Sequence, residues 1–364
     1  MGASAAPGSL TAAEGSGLIA LRQRFALRAK EVAVSTRCVR FDGQGAMRVM
    51  GDVAEAVQSL PEAGFVWFDV HNPTAEELAP LGHALNLHPL SLEDCMDESQ
   101  IPKLDTFPTY SLLIFNRYRL ADGALTISEV NVILGERFVV TVHGRGGEEG
   151  ALGNVEERIQ RAMPAIQQGP AFLMHAVLDL LVDGKFEVVE ALQEGVDAAE
   201  EAVLSDLAPF EPEAVLTIRR QLLELRRSLY YEREVLIKLC RRDSSFVPET
   251  AIYPLRDVYD HLVKLFEVME ISREMITSVM DLHFAIQNNQ LTVAANRINH
   301  LMSRLSVIMT VFMPLTLLAG IGGMSEWTMM TGPQNWPVAY SLFLLAMVVI
   351  GGLNVLALRW LKWL

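Results

Sequence analysis

The hydrophobic pattern of this chain changes character twice. Between residues 36 and 145 apolar positions alternate as in strands, with short helical stretches between them. "CVRFDGQGAMRVM" predicts a hairpin turning at Asp42-Gly43; "YSLLIF", "SEVNVILG" and "RFVVTVHG" predict consecutive strands from Tyr110 to Gly144. Thr74 followed by Glu77 makes a capping box, opening a helix with Leu78, Leu81 and Leu85 on one face. The segment "HGRGGEEGALG" lacks phosphate-loop spacing and reads as a loop. From about residue 168 the spacing becomes heptad-like and predicts long helices. "LAPFEPEAV" separates an acidic stretch (179–213) from an arginine-rich one (216–242), which predicts an antiparallel pair with complementary faces. "VPET" at Val247 then opens a helix running through Arg256, Met280 and Asn299.

The second change comes near the C-terminal end. From Leu305 to Gly323 no residue is charged, and only Ser306, Thr310 and Thr316 are polar. From Val338 to Leu358 the run is again uncharged, with Ser341 and Asn354 as its polar positions. Each approaches the ~20 residues that cross a bilayer core, so the pattern predicts a two-helix membrane hairpin. Arg297 and Arg304 precede the first span, and Arg359 and Lys362 follow the second. The loop between has no basic residue, so both chain ends are expected on the cytoplasmic side. Trp327 and Trp336 fit the outer interface, Trp360 and Trp363 the inner one.

Two helices cannot enclose a pore, so conduction requires copies arranged around one span, most simply as a ring. Advancing about 100° per residue keeps Asn299, Met302, Ser306, Met309, Met313, Thr316 and Gly320 within about 100° of arc. This uncharged stripe suits a pore lining, and it equally suits a helix-packing face, which also favours small residues and methionine. Pro314 is tolerable in a membrane helix where Ser/Thr side chains re-satisfy the backbone, and Thr310 is the expected helper. Gly320, Gly322 and Gly323 permit close helix approach and then end the segment.

Composition narrows the partners. The chain has 364 residues and a net charge of −14, which disfavours nucleic acid and favours cations. Cys38, Cys95 and Cys240 form no CxxC pattern, and the eight histidines form neither HxxxH nor HExxH. "DGKF" at Asp183–Phe186 is not a Walker A sequence, and no nucleophile–base constellation marks an enzyme. Residues 1–17 carry no signal-peptide pattern and are expected to form a disordered tail.

"FMPLTLLAGIGGMS" resembles the end of the first membrane helix of CorA-type divalent-cation channels. Met313-Pro314-Leu315-Thr316 and Gly323-Met324 match that family's signature; Ser325 stands where it has asparagine. "WFDVHNPTAEEL" with "LNLHPLSLEDCMDESQIPKLDTFPTYSLLIF", "RDVYDH" (Arg256–His261) and the closing Lys362-Trp363-Leu364 are also similar to the family, in its order.

The resemblance implies an α+β fold: a cytoplasmic α/β domain, a long helical stalk and two C-terminal transmembrane helices, assembled as a funnel-shaped homopentamer in the cell inner membrane. The corresponding boundaries are a tail (1–17), the α/β domain (18–165), the long-helix hairpin and stalk (166–303), transmembrane helix 1 (304–323), an outer loop (324–336), transmembrane helix 2 (337–360) and a cytoplasmic tail (361–364). It implies passive or ion-coupled influx of Mg²⁺, with Co²⁺ or Ni²⁺, while ZntB-type relatives move zinc. It makes the stripe from Asn299 to Gly320 the pore lining and Gly323, Met324, Ser325 and Glu326 its outer mouth. Finally, it implies that Asp94 and Asp257 meet across subunits around a regulatory Mg²⁺. Two alternatives stay open: a zinc transporter of the same fold, and a membrane-anchored regulator that senses ions without conducting them.

Overall fold

A computed structural model of the chain describes residues 36–42, 46–60, 64–97, 99–144, 152, 155–205, 210–323, 332 and 334–360. The expected tail at 1–17, Gly43 of the first hairpin, residues 145–150 of the glycine-rich loop, Met324, Ser325, Glu326 and Trp327 of the outer loop, and Lys362 and Trp363 lie outside them.

Seven strands form one sheet: β1 (Thr36–Phe41), β2 (Met47–Met50), β3 (Phe65–His71), β4 (Lys103–Thr106), β5 (Tyr110–Ala121), β6 (Ala124–Gly135) and β7 (Phe138–His143). Their order is β2-β1-β3-β7-β6-β5-β4, with β3 and β7 parallel and every other neighbour antiparallel. The first hairpin closes as expected: Phe41 pairs with Met47, and the Asp42 carboxylate accepts from Ala46 N at 2.7 Å.

Alternating side chains cover both faces of the sheet. Val66, Phe68, Ile114, Ile133 and Val140 pack with Leu78 and Leu81 of α2 (Ala75–Ala84) and with Leu85 at its C-cap, beside α1 (Val53–Gln58) and α3 (Pro89–Asp94). The capping box of α2 is complete: Thr74 N donates to Glu77 Oε2 at 2.8 Å, and Glu77 N to Thr74 Oγ1 at 3.3 Å. On the opposite face Trp67, Leu113, Phe115, Val132 and Val139 pack with α4 (Val155–Ile166), α5 (Pro170–Leu204), α6 (Pro212–Cys240) and the first turns of α7 (Ile252–Gly322). The result is a helix–sheet–helix sandwich.

Lys185 of α5 meets Glu232 of α6, and Gly195 approaches Ile218, the order of an antiparallel pair. The charge complementarity expected between these helices takes a different form. Among the described residues the acidic helix supplies the lysine and the arginine-rich helix supplies the glutamate. Arg226 of α6 pairs instead with Glu270 on α7, and Arg158 of α4 holds Asp179 and Asp183. Acids on a wet helix face gain little by pairing; the buried pair is set by the sheet edge that it closes.

α7 is a single helix of 71 residues, as the pattern from Val247 onward predicts. The chain divides into two compact units, Met1–Met280 and Asp281–Leu364. The second contains the end of α7 and all of α8 (Trp336–Trp360), which among the described residues are the two helices long and apolar enough to cross a membrane.

Candidate ion path and metal centre

Within the second unit, α8 covers one side of α7. A Cβ added to Gly322 would lie 2.6 Å from the Phe343 ring, and one added to Gly351 would touch Leu315 at 3.6 Å. Val307, Val311, Pro314, Leu315 and Leu318 are the partly covered residues of this stretch, and Gly322 is buried. At about 100° per residue they occupy one flank of the helix. Leu305, Ile308 and Phe312 form a second, bulky and exposed flank.

The third flank is the predicted stripe. Asn299, Met302, Ser306, Met309, Met313, Thr316 and Gly320 are all exposed, and lie on the side of α7 opposite that covered by α8. A Cβ at Gly320 would meet nothing within 4 Å. Thr316 donates its hydroxyl to Phe312 O at 2.8 Å, leaving its oxygen as an outward acceptor. Gly323 directly follows α7, its amide bonded to Ala319 O at 3.0 Å. Thr310 behaves differently from expectation. Its hydroxyl donates to Ser306 O at 2.8 Å, one turn before the carbonyl that Pro314 leaves without an amide partner.

The two acids expected to hold a regulatory ion have different neighbours within one chain. Asp94, the last residue of α3, pairs with Lys103 Nζ at 2.8 Å. Burial alone would lower the Lys103 pKa, but hydrogen bonds to Asp94 and Asp105 raise it. Asp257 is exposed on the early turns of α7, in electrostatic contact with His175 of α5.

A further group converges between those same helices. The ligand atoms of Asp179, Asp183 and His261 lie within 4.8 Å of one another. Arg158 bonds to both aspartates, and His261 Nδ1 is buried with no hydrogen-bond partner. His175 stands one turn before Asp179; burial and then Arg158 push its pKa down, despite the opposing pull of Asp179 and Asp257. Two carboxylates suit hard Mg²⁺, and an imidazole nitrogen adds affinity for Co²⁺ or Zn²⁺. The orphaned Nδ1 makes the group fit for an ion, with Arg158 as the cation that an ion would displace.

The sequence pattern of the family described as CorA-like Mg²⁺ transporter protein matches residues 62–360, which takes in the sheet from β3 onward, the cluster and both apolar helices. The chain belongs to this family. Among CorA-like relatives, YfjQ of Bacillus subtilis is 32% identical over 295 residues, covering 80% of this chain and 88% of that protein. The cobalt/magnesium transport protein CorA of Thermotoga maritima is 30% identical over 288 residues, covering 78% and 79%. The complete structure of the CorA magnesium transporter from Methanocaldococcus jannaschii superposes with a TM-score of 0.65 at 22% identity, covering 90% of this chain and 98% of that one. The last likeness establishes the CorA fold.

The sequence pattern outlines the stripe and conceals the cluster. A signal was present: His175, Asp179 and Asp183 are spaced by four, as are Asp257 and His261, which puts each set on one helix face. It was hidden because the ligands come from two helices far apart in sequence, and because the aspartates sit in a general run of acids.

Proposed function

We propose that this CorA-like chain forms a homopentameric, funnel-shaped channel that carries Mg²⁺, with Co²⁺ or Ni²⁺, across a cell inner membrane into the cytoplasm. The observation that carries this reading is the segregation of α7 into three flanks. The side with small, hydroxyl and methionine side chains is the one α8 leaves open, while the bulky flank suits lipid. Five such stripes around an axis would make a narrow, uncharged lining. Methionine rings at Met302, Met309 and Met313 would serve as constrictions that dewet when closed. Arg304 and Arg359 at the inner ends, with no basic residue in the outer loop, favour cytoplasmic termini.

At the outer mouth, Ser325 would offer hydroxyl oxygens to a hydrated ion, and Glu326 a ring of carboxylates. On the cytoplasmic side, Asp94 and Asp257 bridge subunits through a regulatory divalent ion. Asp179, Asp183 and His261 extend that sensing surface. Ion binding offsets the repulsion between these acids and holds the ring closed; loss of the ion lets the subunits splay.

A zinc transporter of the same fold, coupled to protons, is the second reading; the imidazole in the cluster suits Zn²⁺. Uptake of Mg²⁺, Co²⁺ and Zn²⁺ by proteoliposomes, with and without an imposed proton gradient, separates the readings. Mg²⁺ uptake that ignores the gradient supports the channel. Zinc uptake that follows the gradient supports the proton-coupled zinc transporter. Absence of flux for every ion, with metal-dependent shape change retained, leaves a non-conducting regulator.

A further inference from the structure

A cavity of about 330 Å³ lies between β5 and the middle of α5, within the range of small-molecule sites. Arg117, Arg119 and Glu187 line it together with the apolar Leu120, Leu181 and Val188. Arg119 is already engaged within the chain, which leaves Arg117 as the cation to account for.

Two features of this cavity lack a reason within the chain. Arg117 is partly buried, and among the described residues no carboxylate pairs with it. Burial, and then repulsion from Arg119, push its pKa below the ordinary arginine value. A guanidinium left in that condition is stabilised by any anion that reaches it. Gly184 is the second feature. It lies mid-helix in α5, where glycine weakens a helix relative to alanine. A Cβ built there would meet nothing within 4 Å, so no neighbour demands the missing side chain. The open room beside it is part of the cavity.

We propose that this cavity binds a small organic anion, with its oxyanion head on Arg117 and its apolar body against Leu120, Leu181 and Val188, in the room left by Gly184. Carboxylates and phosphate monoesters both match the guanidinium fork, and the two sources are distinguishable by experiment. The inference stands independently of the ion-transport reading.

The test is fluorine NMR titration of the full-length protein in lipid nanodiscs with para-fluorobenzoate and para-fluorophenyl phosphate, against empty nanodiscs. Saturable broadening of at least one probe is expected, and the tighter probe identifies the head group. Arg117→Gln should weaken it by about tenfold or more, as loss of a charged hydrogen bond does. Arg117→Lys should restore part of the affinity, and Gly184→Leu should block binding. Arg117→Gln should also unfold no earlier than the wild type, since it removes repulsion. Absence of saturable binding by either probe, or unchanged binding in Arg117→Gln, overturns the proposal; so does a lowered unfolding midpoint with binding intact, which makes Arg117 structural.

Discussion

Lys185 Nζ and Glu232 Oε1 lie 2.8 Å apart, with both side chains fully excluded from water. β4 pairs with β5 only from Ser111 to Ile114, and β5 continues to Ala121. At Asn116, just past that pairing, the backbone N–H donates to Glu232 Oε1 at 2.9 Å, and the carbonyl accepts from Lys185 Nζ at 2.6 Å. The ion pair stands where the amide and carbonyl of a neighbouring strand would stand, and so satisfies a buried sheet edge. Lys185 also lies over the Phe115 and Tyr118 rings, at 4.1 and 4.6 Å. Burial pushes the Lys185 pKa down and the Glu232 pKa up, and each opposes that shift in the other.

Removing one member should therefore cost more than removing both. Lys185→Met leaves a buried carboxylate and should destabilise the first unit by about 3–5 kcal/mol. Lys185→Met with Glu232→Leu should recover part of this, but not all, because the Asn116 backbone groups stay unpaired. Urea unfolding followed by circular dichroism checks the order; a single variant as stable as the wild type refutes it.

Glu270 bridges Arg226 on α6 and Arg273 on its own helix. Burial would raise its pKa, but hydrogen bonds from the two arginines outweigh burial and hold it below the ordinary value. A carboxyl with a depressed folded pKa contributes fully above its unfolded pKa, and the contribution is lost as pH falls through the folded value. Glu270→Gln should cost about 1 kcal/mol at neutral pH and converge with the wild type in acid. Parallel stability–pH curves would contradict the assignment.

The proposed sensing sites make opposite predictions for neighbouring residues. Asp179→Asn, Asp257→Asn and His261→Ala should each weaken closure by internal Mg²⁺ or Co²⁺ by about tenfold. Arg158→Gln removes the cation already sitting on Asp179 and Asp183, and should tighten it. Inhibition of flux by internal ion reads both. If Arg158→Gln weakens closure as the others do, the group is a structural ion-pair network.

Glu326→Gln should cut divalent influx at low external ion by about tenfold, if five carboxylates concentrate cations at the mouth, and should leave flux near saturation unchanged. Ser325→Asn should sharpen preference for Mg²⁺ over Co²⁺. Unchanged influx in the first variant and unchanged selectivity in the second would remove the mouth from the filter.

Much of this fold is written in local pattern. The capping box at Thr74 and Glu77, the Asp42 hairpin and the strands from Tyr110 to His143 were legible because each depends on neighbours a few residues away. The long α7 was legible because past its first turn, where Pro254 is tolerated, only Pro314 interrupts its periodicity, and a membrane helix accommodates that. α4 was not singled out: it follows the glycine-rich segment and carries Pro164 near its end. Blocks of charge misled, because net charge says nothing about the fully buried Lys185–Glu232 pair, whose polarity runs the other way. Periodicity located the Met309–Thr316 stripe; it could not say which flank α8 occupies, since that is a tertiary fact. The Asp179–Asp183–His261 group failed to emerge for the same reason.

Passive passage of ions along the Asn299–Gly320 stripe, as proposed above, is tested most directly by Mg²⁺ uptake into proteoliposomes at a potassium-set membrane potential, with no proton gradient, for wild type and Thr316→Lys. Wild-type uptake should rise as the interior is made more negative, and none should exceed that of empty liposomes when five lysines are placed in the lining of an assembled channel. Uptake indifferent to the potential, or undiminished by Thr316→Lys, would contradict it.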